Sequence, residues 1–415
     1  MKSTGFKGLL GLLVLVLAAS GCTEETDRAD GPAVIEVDKA TALVDEPVRI
    51  RITGLRPGEK VTVTSEAEDS GGSLWSGKAA FTADGKGAVD LTRDRPRSGT
   101  YRQADGMGLF WSMVPMTGEP EESNFATGDP REHGSYTVRI AARAKGRPAV
   151  ERELTRTLRA EGVREQRFTV ARDKVAGRLF QPPGGKPRRA PVLVFGGSEG
   201  GMSTAGEAAL LASRGHPALA LCYHGCPGLS PSVSDIPMEY FVTAARLLGR
   251  ESGEGHDRMA VMGTSRGTEP AQYLVQNHPE LFRDAIVYAP ADQLYGSFPE
   301  RGHAWTKGGE PLPLKPLPLD RVRGTVLAVA GGEDALWEAL PMAGSIADKR
   351  GESGPHRALL YQDAGHSVSG FPYTPAGTVS VHPLTRETYS LGGAIPADAH
   401  ARADSWPRVL KLIGR

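Results

Sequence analysis

A serine flanked by glycines is the strongest candidate for chemistry in this sequence. Residues 263–267 read Gly-Thr-Ser-Arg-Gly, so Ser265 stands at the centre of a G-x-S-x-G motif, after a short apolar run and before a plausible helix. This pattern is typical of a nucleophile elbow, because small residues let the chain turn sharply from strand to helix and expose the hydroxyl near a helix N-terminus. An ordinary surface turn is the alternative interpretation of these five residues alone.

Two further residues are candidates for the acid and the base that a serine nucleophile needs. A serine nucleophile needs a base that takes its proton and a carboxylate that orients the base, and in α/β-hydrolases the acid and then the histidine follow the serine. The apolar run at 325–330 predicts a buried strand, and Glu333 and Asp334 come soon after it. The apolar stretch at 358–361 leads into a glycine-containing loop that carries His366. We predict Asp334 as the acid, with Glu333 as the second choice, and His366 as the base.

An oxyanion hole would need backbone N–H groups that are held in place before negative charge develops. One donor is the N–H of Arg266, the residue after the nucleophile. The second should follow an earlier strand. The apolar run at 191–195 is followed by Gly-Gly-Ser-Glu-Gly-Gly, in which Gly197 and Ser198 are our candidates. A phosphate-binding loop is the alternative, but the segment lacks both a Lys-Ser/Thr pair and a G-x-G-x-x-G pattern.

The hydrophobic patterning divides the elements that must position these residues into two groups. Before residue 165, short alternating segments separated by turn residues predict an all-β sandwich. These segments lie at 48–52, 61–64 and 136–141. After residue 165, apolar strands alternate with helical stretches, as in a mostly parallel sheet. The helical stretches lie at 205–214, 238–248 and 271–276. We predict an all-β immunoglobulin-like sandwich domain at 33–165 and an α/β-hydrolase catalytic domain at 166–415.

The composition argues against several classes of function. The chain has 49 basic and 49 acidic residues and 39% hydrophobic residues, so nothing indicates a basic face for nucleic acid. It has no H-E-x-x-H motif and no cluster of cysteine and histidine, and we expect neither a metal nor another cofactor. Cys222 and Cys226 either form a local disulfide, which an oxidising compartment would favour, or remain free thiols.

The first residues predict export. Lys2 and Lys7 precede an apolar run at 9–19, which is shorter than a membrane span and has the length of a signal-peptide core. The run ends in small residues before Cys22, which resembles a bacterial lipobox and predicts cleavage after residue 21 and lipid on Cys22. An ordinary signal peptide with an incidental cysteine is the alternative.

Processing at this site would leave a lipid-anchored protein. We expect residues 1–21 to be removed and residues 22–32 to form a flexible tether. The loss of two lysines leaves 47 basic against 49 acidic residues, a net charge of −2. The predicted location is the outer side of the cytoplasmic membrane, with contact to the membrane only through the lipid.

Several distinctive motifs occur in one order along both predicted domains. They are Ile-Thr-Gly-Leu-Arg-Pro-Gly-Glu at 52–59, Met-Gly-Leu-Phe-Trp-Ser-Met at 107–113, Leu-Ala-Ser-Arg-Gly at 211–215, Ile-Pro-Met-Glu-Tyr-Phe at 236–241, Gly-Thr-Ser-Arg-Gly-Thr-Glu at 263–269, Gly-Gly-Glu-Asp-Ala-Leu-Trp at 331–337, and the tail from Leu-Gly-Gly at 391–393 to Ala-Asp-Ser-Trp at 403–406. In these motifs the chain resembles the acyl-CoA thioesterase and bile acid-CoA:amino acid N-acyltransferase family.

The resemblance implies hydrolysis of an acyl thioester to a carboxylic acid and a thiol through a seryl-acyl intermediate. The family's nucleophile, acid and base fall on Ser265, Asp334 and His366. Members that transfer acyl groups to glycine or taurine carry cysteine at the nucleophile position, so Ser265 favours hydrolysis. We interpret Glu269, one helical turn beyond the serine, as a structural hydrogen-bonding residue.

The predicted location leaves the substrate open. Relatives that use acyl-CoA work inside cells, whereas a lipoprotein faces outward, so the thiol carrier can differ from CoA. An extracellular carboxylesterase that cleaves oxygen esters or lactones with the same residues is the second hypothesis. The third is a non-catalytic scaffold that binds an envelope component, against which the complete set of candidate residues argues. We expect Trp75 and Trp111 to pack in the core or the domain interface, and the sandwich to form one wall of the acyl pocket.

Overall fold

The computed structural model describes residue 1 and residues 32–184, 189–253 and 259–414. The apolar run at 9–19 and Cys22, on which the export prediction rests, lie outside the described residues. Within the described part, no helix is both long enough and apolar enough to cross a membrane.

The first domain consists of two β-sheets that enclose one apolar core. Its strands are β1 (Val34–Val37), β2 (Thr41–Leu43), β3 (Ile50–Thr53), β4 (Lys60–Glu68), β5 (Leu74–Thr82), β6 (Val89–Asp90), β7 (Ser98–Gly99), β8 (Val114–Pro115), β9 (Ser135–Ala144) and β10 (Val150–Thr157). One sheet has the order β1-β3-β6, and the other has the order β2-β10-β9-β4-β5-β7, with β8 paired to β5. A one-turn helix, α1 (Gly108–Trp111), and a 3-10 turn (Pro120–Glu122) interrupt the strands.

The core of this domain follows from the alternation in its sequence. In β4 the buried side chains are those of every second residue, including Val61 and Val63, because successive side chains of a strand point to opposite faces. Trp75 is buried among them, and its indole N–H donates to Asp69. Trp111 is only partly buried and lines a cavity next to the last helix of the chain. One tryptophan therefore packs in the core and the other lies at the domain interface, as predicted.

The second domain has an eight-stranded sheet with helices. Its elements are β11 (Arg164–Phe168), α2 (Val170–Asp173), β12 (Ala176–Gln181), β13 (Val192–Phe195), α3 (Ala205–Ser213), β14 (Ala218–Cys222), β15 (Ile236–Pro237), α4 (Met238–Ser252), β16 (Met259–Thr264), a 3-10 turn (Ser265–Gly267), α5 (Thr268–Asn277), β17 (Phe282–Tyr288), β18 (Trp305–Lys307), β19 (Glu310–Pro311), β20 (Val326–Gly331), α6 (Ala339–Ala347), β21 (Arg350–Gly351), β22 (Gly354–Pro355), β23 (Arg357–Tyr361), β24 (Val379–Val381), β25 (Thr388–Ser390) and α7 (Ile395–Ile413). The main sheet has the order β11-β12-β14-β13-β16-β17-β20-β23. From β14 onward its neighbouring strands are parallel.

The parallel strands direct four loops to one edge of the sheet. β13, β16 and β20 are buried along most or all of their length, which is why their sequences read as continuous apolar runs. The carboxyl ends of β13, β16, β20 and β23 lead to Gly197, Ser265, Asp334 and His366 respectively. Ligands of open α/β sheets bind at this edge, so the topology brings the predicted residues to one place.

The predicted domain boundary at residue 165 falls inside β11. This strand belongs to the hydrolase sheet, because it pairs antiparallel with β12 along its full length. The last strand of the sandwich, β10, ends at Thr157. β11 lies at the edge of its sheet and is largely exposed, so its sequence is mostly polar and lacks the apolar run that would have assigned it to the hydrolase sheet.

Ion pairs hold the two domains together. Arg214, after α3, pairs with Asp45 of the sandwich at 2.6 Å, and the indole N–H of Trp406 donates to the same carboxylate at 2.9 Å. Arg178 in β12 pairs with Asp129 of the sandwich at 2.6 Å. The sandwich therefore contacts the hydrolase domain at the end of α3, in α7 and in β12.

Candidate active site

Ser265 lies on a strained turn between β16 and α5. Its φ angle is 54°, in the left-handed region that a residue with a side chain rarely occupies. The glycines on either side are required by close contacts. A Cβ on Gly263 would lie 2.3 Å from the carbonyl oxygen of Gly267, and one on Gly267 would lie 2.2 Å from that of Gly196. The motif therefore forms a nucleophile elbow with the geometry that its sequence predicts.

Asp334 and His366 form a hydrogen-bonded pair. His366 Nδ1 lies 2.8 Å from Asp334 Oδ2, and the side chains are 11% and 1% exposed. Asp334 Oδ1 accepts the N–H of Leu336, whereas Glu333 is exposed. Ser265 and His366 line the same pocket without a direct hydrogen bond to each other in the described structure. Such contacts often tighten only when substrate is bound.

Two residues of α7 hold the loop of His366 from both sides. Asp398 Oδ1 accepts the N–H of Gly365 at 2.7 Å, and Arg402 Nη1 donates to the carbonyl of Ser367 at 2.9 Å. Both side chains are buried, and burial raises the pKa of Asp398 above its ordinary value. Sequence reasoning did not identify this pair, although Asp398 and Arg402 are four residues apart and so share one helix face.

The side chain of Arg266 is directed away from the reacting groups by Glu269. Arg266 Nε donates to Glu269 Oε1 at 2.5 Å, and Arg266 Nη2 donates to the carbonyl of Gly296 at 2.7 Å. Glu269 Oε2 accepts the N–H of Tyr295 and the indole N–H of Trp305, each at 2.7 Å. Burial raises the pKa of Glu269. These contacts agree with a structural role for Glu269, as its position in the motif predicts.

The side chain of Glu199 folds back onto the backbone of its own loop, which follows β13. Gly197 N–H donates to both carboxylate oxygens of Glu199, at 3.0 and 2.9 Å. The N–H of Gly197, one of the predicted oxyanion donors, is therefore already engaged. The N–H groups of Ser198 and Arg266 have no acceptor among the described residues, and both residues line the pocket. We retain these two as the candidate donors.

Two aromatic residues after β14 hold the same loop and were not predicted. Tyr223 donates its hydroxyl hydrogen to the carbonyl of Gly197 at 2.6 Å, and His224 Nε2 lies 3.1 Å from that carbonyl. Burial lowers the pKa of His224. Cys222 and Cys226 form a disulfide that encloses both residues. The cysteine spacing was the sequence signal at this position, but it gave no indication of what the enclosed residues contact.

The pocket above Ser265 has a volume of about 440 Å³ and largely apolar walls. The apolar and aromatic residues among its walls are Tyr295, Phe298, Leu336, Trp337, Tyr389 and Leu391. The hairpin of β24 and β25 adds His382, whose Nε2 lies 3.0 Å from Ser198 Oγ. Phe298 and Tyr389 contact the His382 ring. Sequence reasoning did not identify His382, because no local pattern connects it to a loop 184 residues earlier.

The expectation that the sandwich forms one wall of this pocket is wrong. Among the described residues, those that line it lie between Ser198 and Leu391. The sandwich instead supports the hairpin from behind, since Thr378 N–H donates to the carbonyl of Glu121 at 2.8 Å and Gly377 N–H to Asn124 Oδ1 at 3.1 Å. The sandwich contacts the loop that precedes β24, and this loop lies between the sandwich and the pocket.

The chain matches models of one known family in both of its domains. The family model described as the acyl-CoA thioester hydrolase/BAAT N-terminal region matches residues 45–170, and the model described as the BAAT/acyl-CoA thioester hydrolase C terminal matches residues 309–415. This chain belongs to the acyl-CoA thioester hydrolase/BAAT family. The first match covers most of the sandwich and the second covers the part of the hydrolase domain that carries Asp334 and His366, so membership in the family rests on both domains.

Curated members of the family are similar along most of their length. The peroxisomal succinyl-coenzyme A thioesterase of Mus musculus is 26% identical over 406 residues, which covers 89% of this chain and 93% of that protein. The bile acid-CoA:amino acid N-acyltransferase of Mus musculus is 27% identical, with coverage of 90% and 95%. Acyl-coenzyme A thioesterase 6 of Mus musculus is 28% identical, with coverage of 88% and 92%. Proteins named as thioesterases and a protein named as an acyltransferase are therefore similar to this chain over nearly their whole length.

Proposed function

We propose that this protein hydrolyses acyl thioesters to a carboxylic acid and a thiol, with Ser265 as nucleophile, His366 as base and Asp334 as the acid that orients the base. The observation that carries the proposal is the 2.8 Å hydrogen bond between His366 Nδ1 and Asp334 Oδ2, in a pocket that Ser265 also lines. A carboxylate on Nδ1 leaves Nε2 as the nitrogen that can accept a proton.

The residues would divide the reaction into two steps. Ser265 Oγ attacks the acyl carbonyl carbon as its proton moves to His366 Nε2, and the oxyanion that forms accepts the N–H groups of Ser198 and Arg266. The carbon–sulfur bond breaks, and the thiol leaves with the proton from His366. Water then attacks the seryl ester, with His366 again as base, and releases the acid and free Ser265.

Two considerations favour a thioester and water as the reactants. Two of the similar proteins are named a succinyl-coenzyme A thioesterase and an acyl-coenzyme A thioesterase, which supports a thioester as the substrate class. A thiolate is also a good leaving group that needs little proton donation. Other similar proteins are named acyltransferases, but the serine at position 265 favours water over an amine as the acceptor because the resemblance associates transfer with cysteine at this position.

The test is an assay of the wild type and Ser265→Ala against acyl-CoA thioesters and oxygen esters of the same acyl groups. Free thiol and released acid are both followed. We expect rapid thiol release by the wild type and a loss of about a thousandfold or more in Ser265→Ala. Ser73→Ala, which changes an exposed serine of the sandwich, is the matched control and should retain activity.

The outcomes separate the hypotheses. Ester cleavage with no preference for thioesters would replace the proposal with an oxygen-ester carboxylesterase that uses the same residues. No cleavage of either class would contradict the enzymatic proposal and favour a binding scaffold.

We also propose that the protein is exported and lipid-anchored through Cys22. The support is the order of two lysines, a short apolar run and small residues before the cysteine. The mass of the mature N-terminal peptide tests this proposal, since an unmodified peptide beginning elsewhere would contradict it.

A further inference from the structure

The carboxylate of Glu199 lies beside the nucleophile in the described structure. A Cβ placed on Gly197 would lie 2.8 Å from Ser265 Cβ and 3.0 Å from Glu199 Oε2, so both groups border the same small volume. Glu199 also lines the pocket together with Ser265 and His366. The carboxylate therefore lies in the same pocket as the serine hydroxyl that would attack the acyl carbonyl carbon.

Glu199 is held in this position by three hydrogen bonds. Gly197 N–H donates to both carboxylate oxygens, and the hydroxyl of Ser203 donates to Oε1 at 2.6 Å. A Cβ on Gly196 would lie 2.0 Å from Oε1, so the carboxylate packs directly against the backbone of Gly196. These donors are neutral, so they orient the carboxylate without placing a positive charge beside it.

The other charged groups of the pocket do not offset this charge. Arg266 is the one arginine or lysine among the described residues that line the pocket, and its guanidinium is paired with the buried carboxylate of Glu269. His382 Nδ1 accepts the N–H groups of Leu384 and Thr385, which favours the neutral ring with its proton on Nε2. Burial also lowers the pKa of His382.

We propose that Glu199 is a specificity-determining residue that selects acyl groups without a negative charge and rejects the half-thioesters of dicarboxylic acids. The inference rests on the proposed thioester hydrolysis and adds the class of acyl group. The aromatic and aliphatic walls suit an uncharged chain, whereas a second carboxylate would lie close to Glu199 and would find no unpaired arginine or lysine among the described residues that line the pocket. The repulsion is strongest for short dicarboxylic acyl groups, whose distal carboxylate cannot leave the pocket.

The experiment compares matched acyl pairs on one uncharged thiol, N-acetylcysteamine, so that only the charge of the acyl end changes. The pairs are butanoyl with succinyl and hexanoyl with adipoyl. For the wild type we expect kcat/KM to favour the uncharged member of each pair by at least about tenfold, and more for the shorter pair. Raised ionic strength should reduce this ratio, because salt screens the repulsion.

The variant Glu199→Gln removes the charge and keeps an acceptor for Gly197 and Ser203. In this variant, the ratio of kcat/KM for the uncharged acyl group to kcat/KM for its dicarboxylic partner should fall at least about fivefold. The expectation concerns this ratio and does not depend on the absolute rate. Glu387→Gln is the matched control. Glu387 lies on the same hairpin as His382 and accepts a hydrogen bond from Tyr389, but it does not line the pocket, so its ratio should equal that of the wild type.

The result distinguishes this inference from the proposed function. Equal kcat/KM for both members of each pair in the wild type, or an unchanged ratio in Glu199→Gln, would overturn the role of Glu199 and leave thioester hydrolysis intact. If the wild type cleaves none of the thioesters in a Ser265-dependent manner, both proposals are wrong.

Discussion

At the residue scale, the chemistry depends on one hydrogen bond with a defined direction. Asp334 Oδ2 faces His366 Nδ1, and Asp334 Oδ1 accepts the N–H of Leu336. The backbone donor orients the carboxylate, and the carboxylate orients the ring. The nearly complete burial of the Asp334 side chain means that water cannot substitute for it.

Asp334→Asn should reduce kcat for thioester hydrolysis by about a thousandfold or more, because an amide N–H facing Nδ1 favours the wrong tautomer of His366. Steady-state kinetics together with thermal unfolding measure the effect, and the melting temperature should change little. Glu333→Gln is the control, since the exposed neighbour should leave kcat within about twofold of the wild type. Similar losses in both variants would show that Asp334 is not the orienting acid.

At the element scale, α7 acts on the site without contacting the pocket. Asp398 and Arg402 bind the backbone on either side of His366, and both face the core of the domain. The final helix therefore sets the position of a loop that begins more than thirty residues earlier. Small displacements of a catalytic base are costly because proton transfer depends strongly on distance and alignment.

Asp398→Ala would leave the buried N–H of Gly365 without an acceptor, which costs about 1–3 kcal/mol. We expect kcat to fall by roughly ten- to a hundredfold with a smaller change in KM, together with a lower melting temperature. Asp398→Asn keeps an oxygen acceptor and should recover most of kcat. If Asp398→Asn is as impaired as Asp398→Ala, the charge of Asp398 matters and the positioning role fails. The pH profile of kcat/KM separates these cases, because displacement of the His366 ring should alter the shape of that profile.

At the scale of the whole molecule, the sandwich and the hydrolase domain form one unit through paired charges. Arg178 lies in the hydrolase sheet, and its guanidinium binds Asp129 of the sandwich and Glu165 of β11. The hydrogen bonds from Arg178 lower the pKa of Asp129 from 3.8 to about 2. The folded state therefore favours the ionised form of this carboxyl more than the unfolded state does.

The contribution of Asp129 to stability should depend on pH in a defined direction. Because its folded pKa is depressed, the contribution is complete above about pH 4 and is lost as the pH falls toward 2. The melting temperatures of the wild type and Asp129→Asn should therefore differ at pH 5 and converge as the pH approaches about 2. Glu132→Gln, an exposed change in the same loop, should show little difference at any pH. A difference for Asp129→Asn that is independent of pH would contradict the depressed pKa.

Local signals in the sequence determined the identity and order of the main elements. The apolar runs before Gly197, Ser265 and Asp334 became β13, β16 and β20, and the helix predicted at 205–214 became α3. The glycines around Ser265 indicated the elbow because turn geometry depends on residues only a few positions apart. The candidate acid and base could be chosen because parallel strands bring their carboxyl ends to one edge.

Only the tertiary structure decided what surrounds those residues. The sequence does not place Glu199 on the N–H of Gly197, His382 opposite Ser198, or Asp398 beneath the loop of His366. Nor could it exclude the sandwich from the pocket wall. The physical reason is that periodicity and turn chemistry act over a few residues. Charge, hydrogen-bond satisfaction and pocket shape arise instead from contacts between residues that the fold brings together.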